Sequence, residues 1–241
     1  MKVTLLNPEE TKDIFHWWGM ASKVCYATET DNPSAIGKGC KFSKHYSGSR
    51  ARYILFQIDE CPRFTIDQAV RHEVGVMKNV QSFRYVDKSS FAYEIPVEIT
   101  GNNELVTEYH EHMMKTIDLY SKIQEYVYDK TNSHERANEQ ARYVLPMATH
   151  SSFIFGLTVE ALIHFCNMRL CVRTEDVHRK LAMLIREAAL EVLPELKNDL
   201  VPNCQAMLWC PEGRKSCGAY PTKKELKDKL KALTESGAVN E

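Results

Sequence analysis

No apolar run in this 241-residue chain reaches the ~20 positions a helix needs to cross a bilayer. The opening stretch MKVTLLNPEETKDIF has a short apolar patch cut off by Pro8, Glu9, Glu10 and Lys12, so it reads as neither a signal peptide nor an anchor. An excess of one charge is also missing: 31 Lys plus Arg stand against 32 Asp plus Glu, a formal net charge of -1. That argues against a generically basic binder of polymeric nucleic acid and against a polybasic membrane binder, since both rest on a positive surface field. It leaves room for a few arginines gathered around one small anion. Neither GxGxxG between a strand and a helix nor GxxxxGK[ST] occurs. His110-Glu111-His112 is no zincin pair, because Met114 stands where the second histidine belongs, and residues two apart on a helix do not share a face.

What the chain does have is 44% hydrophobic residues, ample for a core of its own. Its eight cysteines read as reduced thiols, because a core of this size rarely needs disulfide staples, and the expected compartment is the cytoplasm. Cys204, Cys210 and Cys217 are separated by five and six residues, wider than most zinc knuckles, and no metal site is expected.

The pattern predicts a strand over 1–6, helix from Pro8 to about Cys25, a polar glycine-bearing loop over 28–50 and a strand over 52–58. One or two helical turns follow at 65–72, then strands at 82–86 and 90–95. Apolar residues three or four apart, among them Leu105, Tyr109, Met113, Ile117 and Tyr120, predict a long helix from Glu104 to Tyr128. Further helices are expected over Glu135–Leu145, 152–171, 175–193 and Lys223–Leu233. Few strands with several long helices, and no strand–helix alternation, indicate one α+β domain over 1–241, with a cysteine-bearing tail from about residue 200.

Three groups of residues carry chemistry. In a strand, Ser82 and Arg84 would point to one side, and a hydroxyl beside a guanidinium suits a phosphate; the other reading is a surface strand with an incidental arginine. Glu139 and Arg142 are three apart, so they can pair with each other or face one ligand. Arg169 ends a largely apolar run in which it costs desolvation unless an anion or carbonyl meets it, while Glu160 and His164, four apart in the same run, can satisfy each other.

These segments resemble the flavin-dependent thymidylate synthases. That family's signature opens RHR and then reads N-x-x-S-x-R-Y, which stands here as Arg71-His72-Glu73 and Asn79-Val-Gln-Ser82-Phe-Arg84-Tyr85, preceded by the matching Gln68. Its E-x-A-R-x-x-L-P stands as Glu139 to Pro146, and its F-x-x-x-R as Phe165 to Arg169. The resemblance implies an α+β protomer with an antiparallel or mixed sheet packed with long helices, in a homotetramer with FAD where subunits meet. The implied reaction methylates dUMP to dTMP using methylenetetrahydrofolate and NADPH, without a cysteine nucleophile. By the same resemblance Ser82 and Arg84 hold the dUMP phosphate, with Arg142 also in the nucleotide site. Arg169, with Tyr85 nearby, faces the uracil ring and activates its carbon 5, and Ser82 and Arg169 are the residues expected in catalysis. Gln68, Arg71, His72, Glu73, Asn79, Glu139 and His164 are implied on the flavin side.

The chain also departs from the family. Glu73 replaces an arginine, and the spacer from His72 to Asn79 is one residue longer. Ser49-Arg50-Ala51-Arg52 stands where an E-H pair is usual. Thr158 and Glu160 replace asparagine and arginine, and Thr174-Glu175 replaces A-Q. The losses fall mostly on the flavin and folate side. They leave open two other readings: a different one-carbon modification of a pyrimidine nucleotide, such as hydroxymethylation, and a non-catalytic nucleotide-binding relative.

Overall fold

The structure is a computed structural model and describes residues 1–235. Strand β1 (Lys2–Leu5) leads into helices α1 (Pro8–Lys12), α2 (Ile14–Cys25) and α3 (Pro33–Phe42), then a 3-10 turn at Tyr46–Ala51. Strand β2 (Ile54–Pro62), helix α4 (Arg63–Ala69) and strand β3 (Val76–Val80) follow, and after them α5 (Asn103–Thr131), α6 (His134–Ala141) and β4 (His150–Leu157). The remainder is helical: α7 (Val159–Arg169), α8 (Asp176–Val192), α9 (Asn203–Met207) and α10 (Lys223–Glu235). The strands form one sheet in the order β1-β2-β4-β3. It is antiparallel. Leu6 N–H bonds Leu55 O while the chain's first ammonium lies by Glu60, and Gln81 N–H bonds Ser152 O while Thr158 N–H bonds Gly75 O. This is the α+β class expected from the sequence. Among the described residues no helix is long and apolar enough to cross a membrane.

The chain forms two compact units, the first from Met1–Thr4, Phe56–Glu73 and Met77–Phe155, the second from Leu5–Leu55, Val74–Val76 and the chain from Gly156 onward. In the first unit α5 is the long helix that its three-and-four periodicity predicts. Asn102 caps its start and Asn132 ends it in the left-handed region (φ 49°). Tyr120 and Gln124, one turn apart, hold the loop beyond β3. The Tyr120 hydroxyl accepts from Lys88 N–H at 3.2 Å, and the Gln124 amide donates to Asp87 at 2.9 Å and Asn138 at 2.7 Å.

Several local expectations are corrected. The run 152–171 is a strand followed by a helix: Ser151, Phe153 and Phe155 are buried with period two, and Thr158 then caps α7 by accepting from Ala161 N–H. Residues 82–86 are a turn, and 90–95 contribute one isolated bridge, Tyr93 to Thr149. The helix expected over Glu135–Leu145 closes at Ala141 and tightens to a 3-10 turn at Arg142–Val144.

In the second unit the loop expected over 28–50 holds α3, started by the Asn32 cap and Pro33. Its glycine lets α3 approach α2 backbone to backbone. A Cβ at Gly37 would lie 2.1 Å from Phe15 O, and one at Gly19 would lie 1.7 Å from Pro33 O. Gly37→Ala should therefore lower stability by about 1–3 kcal/mol in urea unfolding, despite alanine's helix propensity. Gly39→Ala in the same helix, with no atom within 4 Å, should stabilise by up to about 1 kcal/mol. Equal signs for the two would refute the close-approach argument.

Candidate functional site

β3 leaves the sheet through a tight turn in which Tyr85 and Val86 N–H both reach Ser82 O, at 3.3 and 3.1 Å. The Ser82 hydroxyl accepts from Arg84 N–H at 3.2 Å. Ser82 and Arg84 are thus linked by a hydroxyl-capped turn and not by strand alternation. On a separate segment α6 runs out into the Arg142–Val144 turn, after which Pro146 prevents any helical continuation.

Between these segments, with Arg63 from the start of α4, lies a cleft of about 440 Å³, within the ~300–1,000 Å³ usual for small-molecule sites. Its polar lining is Arg63, Gln81, Ser82 and Arg142; its apolar lining is Val80, Phe83, Leu145, Pro146 and Met147. No carboxylate is among these residues. Arg63 Nε holds Asp67 at 3.1 Å and its guanidinium lies 5.6 Å from the Phe83 ring centroid. Arg142 makes no ion pair among the described residues, which leaves its guanidinium for a ligand.

Behind the lining stands Lys88. Its amine donates to Gln81 Oε1 at 2.9 Å and His150 O at 3.2 Å, and sits 5.0 Å from the Phe83 centroid. Burial pushes its pKa down. With the Gln81 carbonyl engaged by Lys88, the amide NH₂ is the group Gln81 offers to the cleft. A lining that combines apolar side chains with donors that carry positive charge or amide hydrogens suits a small anion with a flat ring.

The other expected residues lie as follows. Arg84 is held by Glu135 at 2.5 Å and Glu139 at 3.4 Å, outside the cleft lining; Glu139 also takes Arg136 at 3.0 Å and does not pair with Arg142. Tyr85 is exposed, 5.5 Å from the Arg84 guanidinium. Gln68 is in the last turn of α4. Arg71 and Glu73 are exposed beyond it, His72 is partly buried, and Asn79 is exposed on β3. The Lys78 amine ties this stretch down by donating to Val70 O and to His72 O. In the second unit Arg169 ends α7 partly buried, and His164 is exposed one turn earlier.

Glu160 pairs with Arg50 at 2.8 Å, where pairing with His164 was one expectation. Thr158 and Glu175 cap α7 and α8, and Gly75 adopts φ 70° where a Cβ would meet the Thr158 hydroxyl at 2.4 Å. Thr158, Glu160 and Glu175, three of the residues at which the chain departs from the family pattern, therefore have structural partners. Arg63, Gln81 and Lys88 line or support the cleft without belonging to any of the motif positions above. A cation in the first turn of a helix opposes the helix dipole, and that was the one local signal marking Arg63.

The fold and the cleft define a class, an α+β protein with an antiparallel sheet and a cleft lined by two arginines and no carboxylate. Residues 9–195 match the family model described as thymidylate synthase complementing protein. The flavin-dependent thymidylate synthase of Nitratidesulfovibrio vulgaris is 33% identical over 185 residues, 76% of this chain and 75% of that one. The same enzyme from Clostridium tetani is 31% identical over 248 aligned positions, 94% of this chain and 96% of its own. The crystal structure of the Helicobacter pylori flavin-dependent thymidylate synthase complexed with FAD and dUMP shares the fold, with a TM-score of 0.57 at 16% identity, covering 83% of this chain and 100% of that one. The chain belongs to the flavin-dependent thymidylate synthase family.

Proposed function

We propose that the chain, acting as one catalytic domain, methylates dUMP to dTMP, with methylenetetrahydrofolate as carbon donor and NADPH as reductant. The observation that carries this reading is the arginine-lined, carboxylate-free cleft holding Ser82 and Arg142. The Arg142 fork, the Ser82 hydroxyl and the Gln81 amide hold the phosphate, and Arg63 adds positive potential. Arg84 joins them by exchanging a carboxylate partner for phosphate oxygen, and Tyr85 packs by the nucleotide. Arg169 donates to the uracil ring and stabilises charge that develops there in a site closed to water.

The residues assigned to FAD fit such a group. Arg71 is exposed and makes no ion pair among the described residues, as a pyrophosphate partner should. Gln68, His72 and Asn79 add amide and imidazole groups from the same stretch, with Glu139 and His164 completing the set. The charge of Glu73 is solvated, so it imposes no burial cost. Bound FAD supplies the redox step, conveying a hydride from NADPH to the one-carbon unit. Its place where subunits of a homotetramer meet, and a cytoplasmic location, belong to the same proposal.

Purified protein should show the visible band of oxidised flavin and should form dTMP from dUMP only with both co-substrates present. Protein that takes up no FAD, or a flavoprotein that forms no dTMP, would overturn the reading. A hydroxymethylated product by mass would indicate the variant chemistry, and dUMP binding without FAD a nucleotide-binding relative.

A further inference from the structure

Lys88, on the loop beyond β3 in the first unit, is half-buried and makes no ion pair among the described residues. Its amine meets two neutral acceptors, Gln81 Oε1 at 2.9 Å and His150 O at 3.2 Å, and the Phe83 ring at 5.0 Å from the centroid. The acids around it are engaged elsewhere. Asp87 accepts from the Ser89 hydroxyl and the Gln124 amide, each at 2.9 Å, and Glu94 pairs with the His150 ring at 3.1 Å. Tyr120 of α5 accepts from the Lys88 backbone N–H, and burial pushes its phenol up, so it stays neutral. Arg63, 5.6 Å from the same Phe83 centroid, and Arg142 in the cleft lining are cations as well. A cation half-buried beside other cations costs desolvation and repulsion. An anion in the cleft offsets both. Bridging the same two acceptors merely to hold the loop would need only a neutral donor.

We propose that Lys88 is a positioning residue for the cleft: its ammonium fixes the Gln81 amide with the NH₂ toward the phosphate, and its proton sets how tightly dUMP is held. This role rests on the cleft being the dUMP phosphate site. An ammonium has three donors and no acceptor, so only the Gln81 carbonyl can face it. The Gln81 main chain is fixed by its N–H to Ser152 O at 2.9 Å, which leaves rotation of the side chain as the freedom that matters. The Ser151 hydroxyl, 3.5 Å from Gln81 Oε1, serves either orientation, because a hydroxyl both donates and accepts.

Loss of the Lys88 proton exposes a lone pair that can accept from the Gln81 NH₂. The amide is then free to turn its carbonyl toward the cleft, where an oxygen opposes phosphate. The same step removes a positive charge from behind the site, so both effects weaken binding. Burial holds the Lys88 pKa below the ordinary lysine range, whereas the cleft arginines keep their protons throughout. Affinity for dUMP is therefore complete well below the Lys88 pKa and falls as pH rises through it.

The test is steady-state kinetics of full-length protein with varied dUMP, from about pH 6.5 to about pH 10. Lys88→Met should raise the KM for dUMP by about 10-fold at neutral pH and leave kcat near the parent's. The ratio of the two KM values should fall toward one as pH rises, because the parent loses a charge that the variant never had. Titration of the substrate itself cancels in that ratio. Lys88→Arg keeps its proton, so its KM should stay within about threefold of the parent's at neutral pH and lie below it at the alkaline end. If Lys88→Met does not fold, the arginine variant carries the test alone. A KM ratio for Lys88→Met that is flat with pH, parallel pH profiles for the parent and Lys88→Arg, or a loss confined to kcat overturns the inference. Arg142→Ala separates this from the reading of the cleft. A raised KM there, with an unchanged one in Lys88→Met, refutes the role of Lys88 alone; an unchanged KM in both removes the phosphate from this cleft.

Discussion

Alanine at Arg142 is expected to raise the KM for dUMP by about 10- to 100-fold and to leave flavin content and turnover at saturating dUMP near the parent's. Arg142 lines the cleft beside Ser82 and spends its charge on no carboxylate among the described residues. A hydrogen bond to a charged group contributes ~1.5–3 kcal/mol, and each ~1.4 kcal/mol is a factor of ten. The phosphate is remote from the reacting carbon, so its contacts are equally strong in the ground and transition states. Their loss appears in KM and not in kcat. Lysine at 142 restores charge without the planar fork and should recover part of the loss. Arg84 is a poorer probe of the same idea: its removal also strips Glu135 and Glu139 of a partner and disturbs α6. A fall in turnover that persists at saturating dUMP, with KM unchanged, would rule out phosphate holding by Arg142.

The parts of the fold legible in the sequence are those fixed by local periodicity. α5 and α8 bury one stripe and expose the rest, so their spacing shows them directly. The run 152–171 reads as one helix because β4 and α7 are both largely buried, and an apolar run carries no period that separates a covered strand from a covered helix. Thr158 as a cap was the available cue. α3 reads as loop because its glycines look like loop residues; Gly37 is there for the close approach to Phe15 O, a tertiary fact. The cleft was half legible. Ser82 and Arg142 stand in segments whose motifs mark them, whereas Arg63 joins by long-range packing, and Gln81 is made useful by Lys88, itself held through Tyr120 on another helix. The departures from the family pattern look damaging in a linear reading. In the structure Thr158 and Glu175 are helix caps and Glu160 answers Arg50, so they replace one local structure by another.

Arg169→Ala should lower kcat by about 100- to 1,000-fold, the cost of removing one positioned donor to developing charge, and change the KM for dUMP by less than tenfold. Arg169 is the last residue of α7, whose Leu162, Phe165 and Cys166 are fully buried, so the helix that carries it is held firmly. Its charge lies where a helix C-terminus favours a cation, which offsets part of its desolvation. Carbon 5 of uracil is a weak nucleophile, and something must bear the charge that moves through the ring as the new bond forms. A thiolate on the same helix could not do so: burial pushes the Cys166 thiol up to about 12, and its sulfur is fully enclosed. Cys166→Ala should therefore keep turnover, at some cost in stability, while Arg169→Ala loses turnover and keeps the fold. A guanidinium stays protonated throughout the working range, so the Arg169→Ala deficit should be the same from about pH 6 to pH 9. A deficit that grows with pH, or one confined to KM, would place Arg169 in substrate binding and leave the ring to be activated by another group.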